Sequence, residues 1–346
     1  MNANYILKVK SGTLESGDRT SYFYASTRSR AMISKLVAET EYAKLMKMDT
    51  NEIMRYLGEG EYKKEIDAVG IKATKIDTLE RVLNENFANS VNKLLRFTPP
   101  SSPVWAYVMR YDIANVKTII RSKTSKGRKE DVWQKLVPVG TFGKEFLKEL
   151  IALETKAQVI EALRGTPYYQ IVKKNETKTQ EEFEDSLEVF YFEILLKSSK
   201  RQRAFEKLVR MEIDIRNAFV LLRLKRTKVQ NIERFFIKGG RISAQRLLEL
   251  SRMDEFEIIN ALKTYPFWKY APSNTKELDK IDAGLRKFML IYGWNMKKDY
   301  APTFSALLGF IIAKEREIAN IRILARSKTA KNPEDALNIR SKLYIK

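Results

Sequence analysis

One helical phrase occurs three times in this chain at a nearly constant interval. It reads YDIANVKTIIR from Tyr111, EIDIRNAFVLLR from Glu212 and KEREIANIRILAR from Lys314. Each copy carries an acid, Ile, any residue, Asn, then Arg six positions after the Asn. The three asparagines, Asn115, Asn217 and Asn320, stand 102 and 103 residues apart. A period of that length means three copies of one folded unit. A second landmark keeps the interval. The segment Met54–Tyr62 (MRYLGEGEY) resembles Glu161–Tyr169 (EALRGTPYY) and Asn260–Trp268 (NALKTYPFW), with Leu57, Leu163 and Leu262 separated by 106 and 99 residues. Two landmarks in register make coincidence a poor explanation.

At 346 residues the chain has room for three units of about a hundred residues each. It divides into a prelude at 1–27 and helical units at 28–130, 131–228 and 229–346. Leu, Ile, Lys, Arg, Glu and Ala dominate, while Gly and Pro are scarce, a balance that favours helix. The expected fold is all-α. Tyr5–Lys10 alternates well enough for a short N-terminal strand, and Ser11–Arg19 reads as a loop. Helical periodicity predicts one long helix over Thr27–Met48, a second starting at a cap near Asp49-Thr50, and further helices over Leu79–Phe97 and Val104–Arg121. The second unit reads as helices over Gly143–Leu153, Lys156–Leu163, Thr179–Lys197 and Arg201–Leu224. The third reads as Ser243–Arg252, Glu255–Lys263, Thr275–Tyr292 and Ala301–Ala325, with one more helix over Asn332–Lys346 entered through Pro333. No low-complexity linker separates the units, so they are expected to pack closely.

Composition excludes several kinds of chemistry. There is no cysteine and no histidine. Disulfides, thiol catalysis, His-dependent triads and the usual zinc sites are therefore ruled out. The phosphate-cradling loop of the common nucleotide hydrolases is absent; Gly58-Glu59-Gly60 and Gly239-Gly240 fit turns better. No catalytic, cofactor-binding or metal-binding residue stands out, and the chain is expected neither to bind nor to hydrolyse ATP. The most apolar stretch, Ala301–Ala313, is too short to span a bilayer, and no signal-peptide pattern opens the chain, so a soluble, intracellular protein is expected. The formal net charge of +21 reads either as an acidic partner (nucleic acid, anionic head groups or an acidic protein surface) or as the general Lys enrichment of a host that favours basic proteins.

The repeated helix has its own physical demands. Counting from the Asn, apolar residues recur at −2, +1, +4 and +5, which places them on one buried stripe. The acid at −3 (Asp112, Asp214, Glu317) falls within that stripe, with the Asn (Asn115, Asn217, Asn320) at its edge. A basic residue stands at +2 in two copies (Lys117, Arg322), where the second has Phe219. The Arg at +6 (Arg121, Arg223, Arg326) points elsewhere. A carboxylate on a buried stripe needs a partner from outside its own helix. Arg28 and Arg30 are the candidates for the first copy. These acids and cations could form a ligand site or proton path, or a network fixing how helices cross; threefold recurrence favours the network.

These three helices, the TRSRAM opening at Thr27–Met32, the VPVGTF turn at Val137–Phe142 and its counterpart IKGGRI at Ile237–Ile242 together resemble the C subunit of V/A-type ATPases, the equivalent of the vacuolar enzyme's d subunit. The resemblance covers nearly the whole chain after the prelude. It implies a non-catalytic rotor part without cofactors: three similar units around a pseudo-threefold axis forming a funnel, one copy per complex. One end would rest on the proteolipid c-ring at the membrane surface, and the other would receive the D and F subunits of the central shaft. The competing readings are a basic helical scaffold for nucleic acid, marked by salt-sensitive binding, and a carboxylate enzyme, marked by paired acids in a pocket.

Overall fold

The computed structural model describes residues 19–70, 76–125, 129–200, 202–227, 232–272, 277–298, 303–329 and 343–345. Among them the regular structure is helical throughout. The first third holds α1 (Arg19–Ile33), α2 (Tyr42–Leu45), α3 (Thr50–Gly58), α4 (Lys63–Val69), α5 (Ile76–Leu95) and α6 (Val104–Ser125). The middle holds α7 (Lys129–Lys135), α8 (Lys144–Ala152), α9 (Lys156–Ala162), α10 (Tyr169–Lys174), α11 (Gln180–Ser199) and α12 (Arg203–Thr227). The last third holds α13 (Ala244–Arg252), α14 (Glu255–Leu262), α15 (Leu278–Trp294) and α16 (Phe304–Thr329). Short 3-10 turns cover Glu39–Glu41, Ile232–Phe235, Pro266–Tyr270 and Asn295–Lys298.

Local sequence explains the repeat of these elements. Helices α3, α9 and α14 begin at Asp49, Thr155 and Asp254, spaced as the leucine landmarks are. Each of these residues closes a reciprocal capping box, with Glu52, Gln158 and Glu257 respectively. Two otherwise orphaned N–H groups are thereby satisfied at each start. The long helix expected over Thr27–Met48 is not continuous. It ends at Ile33, and Ala38 is extended (φ −66°, ψ 149°). The reason is tertiary: the Val37 N–H is donated to the Glu317 carboxylate at 2.6 Å and is lost to any helix. The strand expected at Tyr5–Lys10 lies outside the described residues, as does most of the helix expected over Asn332–Lys346. Helices α4, α7 and α10 were not anticipated, each being only six or seven residues long.

The three repeat helices are α6, α12 and α16. Each packs against a second long helix, and the order of pairing is cyclic. Helix α6 lies on α11, α12 on α15, and α16 on α5. The short helices follow the same rule. Helices α8 and α9 pack on α6, α13 and α14 on α12, and α3 from the start of the chain packs on α16. The last repeat helix is thus served by elements from the first third of the chain. Apolar packing holds this arrangement. One contiguous core runs from Tyr22 to Leu343, and a second gathers α12, α13, α14, Phe267, Trp268 and α15. Burying such side chains is worth about 1.5–3 kcal/mol each against leaving them in water.

Candidate functional site

The repeated acid and Asn form a backbone clamp. Asn115 and Val137 exchange two hydrogen bonds: its Nδ2 donates to the Val137 carbonyl (2.7 Å) and its Oδ1 accepts the Val137 N–H (2.9 Å). One turn earlier, Asp112 accepts the N–H groups of Thr141 (2.9 Å) and Phe142 (3.3 Å) and the Tyr168 hydroxyl (2.7 Å). The second copy repeats this. Asn217 exchanges two bonds of 2.8 Å with Ile237, and Asp214 accepts the N–H groups of Arg241 (2.8 Å) and Ile242 (2.9 Å). Both clamped loops are the VPVGTF and IKGGRI turns. All six acid and Asn side chains of the three copies are buried.

Glycine lets the loop approach the carboxylate. Gly140 has φ +101°, and a Cβ there would stand 2.8 Å from an Asp112 oxygen. At Gly240 a Cβ would collide with Asp214 Oδ1. Burial raises the Asp112 pKa to about 6, opposed by the hydrogen bonds from Thr141, Tyr168 and Phe142. Asp214 is raised for the same reason, opposed by the two loop N–H groups. The partners expected at Arg28 and Arg30 are not those of Asp112. Arg28 instead lies over the Phe97 ring, 5.0 Å from its centroid. Aimed N–H dipoles offset part of the burial penalty of these carboxylates without an ion pair, and the raised pKa is what remains of it.

The third copy closes the chain on itself. Asn320 accepts the Tyr344 N–H at 2.7 Å, and Glu317 accepts the Val37 N–H, the Tyr62 hydroxyl (2.6 Å) and Lys314 Nζ (2.6 Å). Tyr62 plays the part of Tyr168; the landmark's third copy has Phe267, which lacks a hydroxyl. Lys314, 2% exposed, occupies the −6 position, where the other copies have buried Met109 and Met211. Among the described residues only this copy joins the first and last parts of the chain, and only this copy adds an ion pair to its acid.

The basic positions also find partners. Lys117 pairs with Glu188 (2.6 Å) and Arg121 with Glu184 (2.5 Å), both on α11. Arg322 and Arg326 both pair with Glu80 on α5 (2.6 and 2.9 Å). In the second copy Phe219 replaces the +2 cation and lines a cavity, while Arg223 is exposed and acts electrostatically on Asp185. The motif residues thus serve two separate places: acids and asparagines hold loops, and cations tie neighbouring long helices.

A set that sequence reading missed sits at −5: Arg110, Glu212 and Glu315. Arg110 bonds Glu212 at 3.0 Å and the Tyr191 hydroxyl at 2.7 Å. Glu315 accepts the hydroxyls of Tyr107 (3.3 Å) and Tyr111. Burial raises the Glu315 carboxyl, with Arg110 opposing. Equivalent positions of the three repeat helices therefore converge, around a cavity of about 510 Å³ whose walls include all three helices. The signal was present: every copy is charged at −5, one positively and two negatively. Among the described residues no cluster of three or more carboxylates is placed to hold a metal ion, and no described helix is long and apolar enough to cross a membrane.

Three measurements test this geometry. Lys314→Met, which installs the residue of the other copies, leaves Glu317 buried without its counter-charge and is expected to cost about 3–5 kcal/mol in urea unfolding. The Lys314→Met/Glu317→Gln double variant should lose less than the sum of the two singles; strict additivity would mean the pair is not coupled. Gly140→Ala should cost about 2 kcal/mol or more from strain and close contact, while Gly60→Ala, with room for a Cβ, stays within about 0.5 kcal/mol of the parent. The third concerns pH. The folded Asp112 pKa lies above its unfolded value of about 3.9. The native state therefore holds its proton longer, and the resulting stability is full below about pH 4 and lost as pH rises through about 6. The parent should lose on the order of 2–3 kcal/mol relative to Asp112→Asn across that window. Parallel profiles would refute the assignment.

Comparison with known proteins agrees with the motifs. The family described as ATP synthase (C/AC39) subunit matches residues 25–339. The C subunit of the A-type ATP synthase of Methanosarcina acetivorans is 31% identical over 93% of this chain and 91% of its own length. That of Archaeoglobus fulgidus is 32% identical over 90% and 93%, and that of Methanococcoides burtonii 29% over 97% and 98%. With one match running almost from end to end of the described fold, the chain belongs to the ATP synthase (C/AC39) subunit family.

Proposed function

We propose that this chain is the non-catalytic central-stalk subunit of a V/A-type rotary ATPase, present in one copy and coupling the membrane proteolipid ring to the D and F subunits of the shaft. The observation that carries the reading is the convergence of the three repeat helices, through Arg110, Glu212 and Glu315, on a cavity that all three line. In this reading residues 28–130, 131–228 and 229–346 are three units about a pseudo-threefold axis, forming a funnel whose wall receives the shaft. A torque-bearing part needs low compliance, and close-packed helices joined by buried polar clamps deform little. The protein stays at the cytoplasmic face, peripheral to the membrane. The names of the matched relatives favour a part of an ATP synthase and give no support to a nucleic-acid scaffold.

The test is reconstitution. Complexes lacking this chain should hydrolyse ATP without moving ions, and adding it back should restore transport. Phe219→Asp/Leu290→Asp, at half-buried positions of the cavity wall, should weaken capture by the D and F pair roughly tenfold or more, in line with placing unpaired charge in an interface. Capture unchanged by these substitutions would remove the shaft from this cavity. Failure to co-purify with ring or shaft would overturn the assignment.

A further inference from the structure

The positive charge of this protein is not spread evenly along its sequence. Residues 19–38, 86–111, 194–205 and 283–298 contain no Asp or Glu. The fold gathers the turn-side parts of these segments at one end of the molecule, while Val37 and Arg110, near their limits, belong to the clamp and the cavity. Three turns join α5 to α6, α11 to α12 and α15 to α16, and the contacts at them interlock. Phe205, at the start of α12, packs on Phe304, at the start of α16, with ring centroids 5.3 Å apart. Ser26 on α1 donates to the Thr303 carbonyl at 3.3 Å. Tyr22 on α1 meets Ser102, just before α6.

Two further observations describe this end. Lys93, Arg96, Lys197, Lys200, Arg203 and Lys207 are exposed, and none has an ion pair among the described residues. This contrasts with the paired cations of the repeat helices. Among the described residues, the same end also carries three of the four large exposed apolar side chains: Phe23 (58%), Tyr24 (59%) and Phe97 (37%). Tyr24 meets Phe97 edge-on at 5.0 Å, with Arg28 over the Phe97 ring. The third turn itself contains one acid, Asp299, which lies outside the described residues.

We propose that this hairpin end is the membrane-facing surface and that it docks on anionic lipid head groups. Unpaired cations are drawn to the negative potential of such a surface. Exposed Phe and Tyr beside arginine suit the boundary between head group and acyl chain, where one end of the ring is apolar and the other wet. An acidic protein surface would satisfy the cations but leave the aromatic cluster unexplained. The proposal rests on the rotor reading for its biological setting and gives that reading an orientation.

The experiment is co-sedimentation of the full-length protein with phosphatidylglycerol-rich vesicles and with neutral phosphatidylcholine vesicles. Binding should require the anionic lipid. Arg96→Glu/Lys200→Glu/Arg203→Glu should weaken it roughly tenfold or more. Lys63→Glu/Lys64→Glu/Lys174→Glu, the same change in net charge at exposed lysines on α4 and α10, should leave it nearly unchanged. Phe23→Ser/Phe97→Ser should remove the part of the binding that survives high salt. Equal loss in the two triple variants, indifference to lipid charge, or tighter binding to duplex DNA than to vesicles would each overturn the proposal. If the chain binds vesicles as expected but does not co-purify with a proteolipid ring, the rotor reading falls and the surface stands. If it co-purifies but ignores anionic vesicles, the surface falls alone.

Discussion

The architecture depends on a carboxylate placed where a carboxylate is costly. An acid on the buried stripe of a helix forfeits its hydration and must recover it from aimed donors. Here the donors are loop N–H groups, joined in two copies by a tyrosine hydroxyl. Because a free N–H can be supplied at this point only if the loop runs across the helix at a set angle, the acid dictates the loop's path. The Asn one turn on fixes its register in the first two copies by taking both polar groups of a single peptide residue. Next come the short helices that begin just after each loop, and then the long helix against which the next repeat leans. One buried polar pair thus propagates into the placement of a whole unit.

The three copies use this device unequally, and the differences follow from topology. In the first two, the loop held is the one that follows in the chain. In the third, the donors come from both ends of the chain, and Glu replaces Asp, adding one methylene of reach. Lys314 supplies a formal charge where its counterparts are methionine. The Arg110, Glu212 and Glu315 set shows the same economy at the centre, where identical residues at equivalent places would repel and one cation between two acids does not.

Much of this was legible in the sequence. The helical class, the interval and the buried face of the repeat helices follow from periodicity, and the glycines of VPVGTF and IKGGRI were visible as turns. The partners of the acids were not. Sequence reasoning asked for a charged or hydrogen-bonding partner and offered side chains, Arg28 and Arg30, as candidates for the first copy, whereas a backbone N–H carries no letter in the sequence. The break after Ile33 was hidden for a related reason, since the residue that claims Val37 lies 280 positions away. The −5 set was overlooked because matching repeats by residue type discards positions where copies are complementary instead of alike.

The joint between chain ends has a consequence for how the molecule is made. The loops that Asp112 and Asp214 hold emerge within about thirty residues of their helices, so those clamps can form while synthesis continues. Glu317 is the last of the three clamp acids to be made, and it follows its partner Tyr62 by 255 positions. Closing so long a loop carries an entropic cost that grows only slowly with length, yet it cannot be met before the final helix has left the ribosome. Until then Tyr62, Val37 and the face of α3 have no partner helix, and the nascent chain is an open strip instead of a closed circuit. A ribosome that stalls before Glu317 therefore leaves a chain whose first segment is exposed, a state that quality control can recognise by its uncovered apolar face.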